Sequence, residues 1–149
     1  IFIVSENMSR LSLVGLRLSS LPREIGLLTP YVLIKLSDNL FTQFPFSIFE
    51  MTWLQKLNLK GNRVMHIPKE ISKLVNLNEI WLEENQIEEF PSTLLFTSRL
   101  ERLWLDFNKI KEVRDCRLVN IKRFSICSGS HPRWRIYCRR FIKFKNRRR

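Results

Sequence analysis

Five times along the chain the same spelling begins again, and the spacing is 23 residues each time: Met8, Tyr31, Leu54, Leu77 and Leu100. Three residues later stand Leu11, Ile34, Leu57, Ile80 and Leu103, and two further on Leu13, Leu36, Leu59, Leu82 and Leu105. Asn39, Asn62, Asn85 and Asn108 follow in repeats two to five, where the first repeat has Leu16. Leu18, Phe41, Val64, Ile87 and Ile110 come next. The second half of each of the first four units carries an apolar residue before Pro22, Pro45, Pro68 or Pro91, and the fifth departs with Val113-Arg114. A unit this short cannot bury its own apolar face, so the chain has to stack its repeats into one continuous core.

Within a unit, leucines two apart give the period of a strand, so both face one side and the residue between them faces the other. Strands from successive units then pair in parallel. The Asn just after the strand has an amide able to satisfy turn backbone in neighbouring coils. The later Pro holds φ and ends extended structure, which suits a return along the opposite side. A sixth start is visible at Ile121, Phe124 and Ile126, shortening the fifth unit to 21 residues, with Gly129 where Asn is expected.

These columns, over residues 8 to 113, resemble the leucine-rich repeat family in its 23-residue form, L-x-x-L-x-L-x-x-N-x-L-x-x-L-P-x-x-I-x-x-L-x-x. The resemblance implies an α/β repeat fold: a solenoid with a parallel concave sheet and an irregular or 3-10 convex side. The LP-containing units are similar to those of intracellular Ras-suppressor, Scribble and Erbin-type proteins, which implies signalling, small-GTPase or cytoskeletal partners. The expected organisation is residues 1–7 as the end of a preceding repeat, 8–130 as the solenoid, and 131–149 as a basic aromatic tail, disordered or a short helix. Phe2 falls in the slot later held by Ile25, Ile48, Ile71 and Leu94. The start at Ile1 and the missing N-terminal cap suggest a fragment of a longer chain.

On the concave face the sequence can be read down columns. Between the strand leucines stand Ser12, Lys35, Asn58, Trp81, Trp104 and Ser125. Adjacent strands lie about 4.8 Å apart, so Trp81 and Trp104 are expected side by side and stacked. Glu79, Glu83, Glu84, Arg102, Asp106 and Phe107 surround them, and Lys35, Lys56 and Lys60 form a second, basic patch. An aromatic pair rimmed by charge has the composition of a binding hot spot. The alternative is that the rings only stack and shield the strands, while the acids pair with Lys56, Lys60 and Arg102. The expected function is a non-enzymatic scaffold or adaptor binding a protein partner on this face.

Charge separates the chain in two. Residues 1–115 hold 14 Lys+Arg and 14 Asp+Glu, whereas 116–149 hold 12 Lys+Arg and no acid, which accounts for the whole net charge of +12. In the tail, Trp134, Tyr137, Phe141 and Phe144 fall at helical spacings among nine Lys+Arg. That pattern offers an alternative function, binding to an anionic membrane surface or nucleic acid through residues 133–149. The tail is equally readable as disordered, or as foreign to the repeat protein, because the period and the acids stop together.

Nothing points to catalysis, a cofactor or a metal. His66 falls on a convex turn and His131 in the tail, with no nucleophile placed beside either, and four glycines leave little room for a phosphate loop. Glu83 and Glu84 imitate an acid pair, but a solvated face gives no reason for their proton affinity to shift. Cys116, Cys127 and Cys138 form neither a disulfide framework nor a zinc pattern, which fits a reducing, intracellular and cytoplasmic setting. The single sequon Asn7-Met8-Ser9 does not outweigh them. No apolar run reaches the length of a membrane span, since Pro30 and Lys35 interrupt the longest candidate.

Overall fold

A computed structural model describes residues 10–28, 31–113 and 121–126 of the 149-residue chain. The expectations for residues 1–9, for Cys116, Cys127 and Gly129, and for the tail at 131–149 lie outside them.

Six strands, β1 (Arg10–Ser12), β2 (Leu33–Lys35), β3 (Lys56–Asn58), β4 (Glu79–Trp81), β5 (Arg102–Trp104) and β6 (Arg123–Ser125), form one parallel sheet in chain order. Register is Leu11↔Ile34, Ile34↔Leu57, Leu57↔Ile80, Ile80↔Leu103 and Leu103↔Phe124, so like positions of successive repeats lie side by side. The last step joins Arg102 to Arg123, the 21-residue spacing expected from the shortened fifth unit. The ladder runs on past the strands, as Leu36 N–H donates to the Asn58 carbonyl at 2.8 Å and Leu59 N–H to that of Trp81 at 2.9 Å.

The return side carries 3-10 turns at Arg23–Leu27, Phe46–Glu50, Lys69–Lys73 and Ser92–Phe96. Each starts just after its proline, whose φ lies between −66 and −75, already near the value a 3-10 turn needs. The proline carbonyls accept the first bonds, from the N–H groups of Ile25, Ile48, Ile71 and Leu94. Those four side chains are buried and close the core from the convex side. The convex side is thus 3-10 throughout the described coils, with no α-helix among them. In repeat three, Leu54, Leu57, Leu59, Val64, Ile67, Ile71 and Leu74 are all buried, at roughly 1.5–3 kcal/mol apiece before the entropy of ordering them.

The Asn column holds the coils together. Asn62 Oδ1 accepts from Phe41 N–H at 3.2 Å, and Nδ2 donates to the carbonyls of Leu36 and Leu59, both at 2.9 Å. Asn85 repeats this between Val64 N–H and the Leu59 and Leu82 carbonyls, and Asn108 between Ile87 N–H and those of Leu82 and Leu105. Asn39 does the same for the first coil through Leu16 and Leu18 N–H. Each amide bridges two coils and is buried, so its bonds are made away from competing water.

Candidate interaction face

The alternation within each strand turns leucines inward and leaves the middle column on the open side of the sheet. Ser12, Lys35, Asn58, Trp81, Trp104 and Ser125 occupy it in order, each paired with the next by strand register. Trp81 and Trp104 stack with ring centroids 4.9 Å apart and planes 2° from parallel, as the lateral spacing of strands requires. Both remain partly exposed. Beyond the pair lie Asn58 on one side and the small Ser125 on the other.

The acids around the rings are not equivalent. Glu79 is only 6% exposed, with Arg102 Nη1 at 2.6 Å and Lys56 Nζ at 3.0 Å from its Oε1. This departs from the sequence reading of Glu79 as an accessible partner contact: it is a buried anion clamped by two cations. Arg102 and Lys56 are accordingly half-committed to it. Glu84 pairs with Lys60 at 3.1 Å, and that hydrogen bond raises the Lys60 ammonium above its ordinary value. In these pairs the alternative reading, in which Lys56, Lys60 and Arg102 neutralise the acids, describes the structure.

Glu83 and Asp106 are different. They neighbour each other two residues beyond the tryptophans, and neither has a cation within ion-pair distance among the described residues. Burial raises the Glu83 carboxyl above its ordinary 4.5, a hydrogen bond from its own backbone N–H and then the charge of Lys60 oppose the shift, and the charges of Asp106 and Glu84 add to it. Glu83 Oε2 is buried without a hydrogen-bond partner. The expectation that a solvated face leaves these carboxylates unperturbed therefore fails at Glu83, because the side chain folds down against the sheet. Lys35, in the basic patch, has no such ion pair among the described residues.

A further feature was missed in the sequence. Gly15, Asp38, Gly61, Glu84 and Phe107 all have φ between +55 and +69. This column is where each chain turns off the sheet, and its N–H still donates to the next coil: Gly61 to Glu83 at 3.0 Å, Glu84 to Asp106 at 2.9 Å. Glycine is the residue such a backbone favours, and a Cβ at Gly61 would collide with Asp38 Oδ1. The recurrence of Gly and Asp at this spacing was the available signal. Phe107 occupies the same strained position while 57% exposed, so neither backbone preference nor burial explains its side chain.

A separate open depression of about 630 Å³ lies beside the N-terminal ends of the later strands, lined among others by Gln55, Asn78, Glu101 and Lys122. Lys122 pairs with Glu101 at 2.6 Å, and Arg99 Nη1 donates to the Asn76 side-chain Oδ1 at 2.7 Å. Asn78 Oδ1 is buried there without a hydrogen-bond partner, one unmatched polar atom where a ligand site gathers several. Among the described residues no three or more His, Cys, Asp and Glu are placed to hold a metal ion, and His66 is exposed on the convex side.

Residues 53–74 match the family model described as Leucine Rich Repeat. Among solved structures, internalin C2 of Listeria monocytogenes superposes with a TM-score of 0.65 at 20% identity, over 77% of this chain and 50% of that one. The ectodomain of the Arabidopsis thaliana receptor kinase SOBIR1 gives 0.65 at 25% identity, over 80% of this chain and 68% of that one. The plant peptide hormone receptor RGFR1, solved in complex with RGF2, gives 0.65 at 29% identity, over 80% of this chain and 20% of that one. No curated protein matches the chain by sequence. The chain spans half of the internalin C2 chain and a fifth of RGFR1. These neighbours are an internalin and plant receptors, so the likeness rests on the repeat at large and not on the Ras-suppressor, Scribble or Erbin kind.

Proposed function

From the leucine-rich repeat fold as premise, we propose that this chain is a non-enzymatic protein-interaction module that captures its partner on the concave face. The observation that carries this is the Trp81–Trp104 stack, partly exposed at the centre of a sheet whose repeat needs no aromatic there. Two large rigid side chains already held against each other lose little entropy on binding, which is how a preformed surface gains affinity. RGFR1, solved in complex with RGF2, has the same fold, and peptide or protein capture suits this chain on the same grounds. The fold is a scaffold on which function resides in the exposed columns, and no column assembles a nucleophile and base among the described residues.

Within this reading, Trp81, Trp104 and Phe107 anchor the partner, and Arg102, Glu83, Glu84 and Asp106 orient it. An intracellular, signalling-type setting is supported by three cysteines without framework spacing and by the LP form of the units. The test is affinity capture with the full chain against Trp81→Ala/Trp104→Ala. We expect the double variant to keep its thermal transition and lose the partners that the unsubstituted chain retains. Unchanged capture by a folded double variant removes the concave face from consideration.

A further inference from the structure

The concave face is electrically polarised along the strand direction. On the rim at the strand starts, Arg10, Lys56, Arg102 and Arg123 stand against Glu79, four positive charges less one, or +3. On the rim just beyond the strand ends, Asp38, Glu83, Glu84 and Asp106 stand against Lys60, four negative less one, or −3. The aromatic pair lies on the line between them. Of the carboxylates nearest the rings, Glu79 and Glu84 already hold cations, whereas Glu83 and Asp106 hold none among the described residues. Among the described residues the surface therefore lacks one cation beside Trp104.

We propose that the partner of this face is a peptide segment presenting an arginine, whose guanidinium is received between the carboxylates of Glu83 and Asp106 and the outer face of the Trp104 ring. The inference rests on the concave-face reading above and names the chemistry of its ligand. Four observations support it. Glu83 and Asp106 are lateral neighbours one strand spacing apart, so one planar fork can bond to both. Trp104 has one face against Trp81, and among the described residues its other side is bordered by Ser125, which is too small to cover it. An open indole face next to an acid suits a stacked guanidinium better than a compact ammonium. Finally, Glu83 is half-buried with Oε2 unbonded, and burial disfavours its charge. An incoming cation adds to the partial compensation that the Glu83 backbone N–H and Lys60 already give. Phe107, exposed beside Asp106, offers an apolar contact for a residue flanking the arginine.

The experiment titrates the full 149-residue chain with four N-acetylated, C-amidated nonapeptides of sequence Ser-Gly-Leu-Ser-X-Ser-Leu-Gly-Ser, with X as Arg, Lys, Gln or Glu. Affinity is read by calorimetry and location by the indole N–H resonances of Trp81 and Trp104. We expect the Arg peptide to bind at least about tenfold more tightly than the Gln peptide, with Lys between them and Glu weakest. Glu83→Gln/Asp106→Asn should abolish the Arg preference. Glu24→Gln, exposed on the convex turn Arg23–Leu27, should leave it intact, and thermal melts check that each variant is folded. Equal binding of Arg and Gln peptides overturns the proposal, as does an Arg preference that survives Glu83→Gln/Asp106→Asn, or no binding by any peptide. If the Trp81→Ala/Trp104→Ala chain still loses its captured partners in those cases, the concave-face reading stands and only the arginine inference falls.

Discussion

Repeat three and repeat five have the same skeleton and opposite faces. Leu57, Leu59 and Asn62 in one correspond to Leu103, Leu105 and Asn108 in the other, and all six are buried in equivalent roles. The exposed columns differ at every step: Asn58, Lys60 and Gly61 in repeat three become Trp104, Asp106 and Phe107 in repeat five. Most of repeat three, which starts at Leu54, falls in residues 53–74, the stretch that matches the family model. It obeys backbone preference, placing glycine where φ is +67, whereas repeat five sets an exposed phenylalanine at φ +56. Two units with one architecture thus separate what the stack requires from what it merely tolerates. Departures that do not help folding gather around Trp81 and Trp104.

The largest effect that would test this division is on the shared skeleton. Asn85→Ala leaves Val64 N–H without its buried partner and removes one of the two amide donors on the Leu59 carbonyl, which Asn62 still serves, at a cost of about 1–3 kcal/mol, the usual range for an orphaned buried group. Denaturant unfolding should show a lower midpoint, and an unchanged midpoint would mean that the column is not what joins the coils. Next comes Glu79→Ala, which strands Lys56 and Arg102 beside each other. Because both cations are more than a third exposed, about 1–2 kcal/mol is expected, well under the figure for a fully buried pair.

Smaller effects sharpen the contrast between the two turns. Gly61→Ala should destabilise by about 1 kcal/mol, since any side chain at positive φ is strained. Phe107→Gly at the equivalent position should stay within about 1 kcal/mol of the parent, relief of strain being offset by a freer unfolded chain. The pair is compared by thermal melts, and a Phe107→Gly loss far exceeding that of Gly61→Ala would show that the phenylalanine serves folding after all. The smallest effect is Glu83→Gln. Burial raises the folded carboxyl above 4.5, so over the window just above that value the folded state holds a proton that the unfolded chain has released. Glu83 therefore lowers stability as pH rises through that window. The variant should melt slightly higher than the parent at pH 7 and equally at pH 3.5. A gain that is the same at both pH values would locate the effect outside this titration.

Much of the fold was legible before any coordinate. The 23-residue spacing dictated parallel registry, and the 21-residue last step followed from Ile121, Phe124 and Ile126 alone. The Trp81–Trp104 stack was legible for the same reason, because equal positions in adjacent coils must meet. Glu79 was not. Its column says only that it faces the open side, and whether a long side chain rises into water or folds flat depends on Lys56 and Arg102 reaching it from both neighbouring strands. The positive-φ column was hidden differently: Gly15, Asp38 and Gly61 hint at it, but Glu84 and Phe107 mask the preference that backbone geometry would otherwise write into the sequence.

By itself, the sequence determined what repetition enforces: the stack, the order of strands, the asparagine bridges and the two tryptophans sharing one slot. These follow from a period, and a period needs no coordinates to be counted. Only the tertiary structure decided which charges are already matched. Glu79 and Glu84 have their cations, while Glu83 and Asp106 have none among the described residues. The physical reason is that the backbone fixes where a column lies, but pairing among flexible charged side chains is settled by reach and burial across three strands at once.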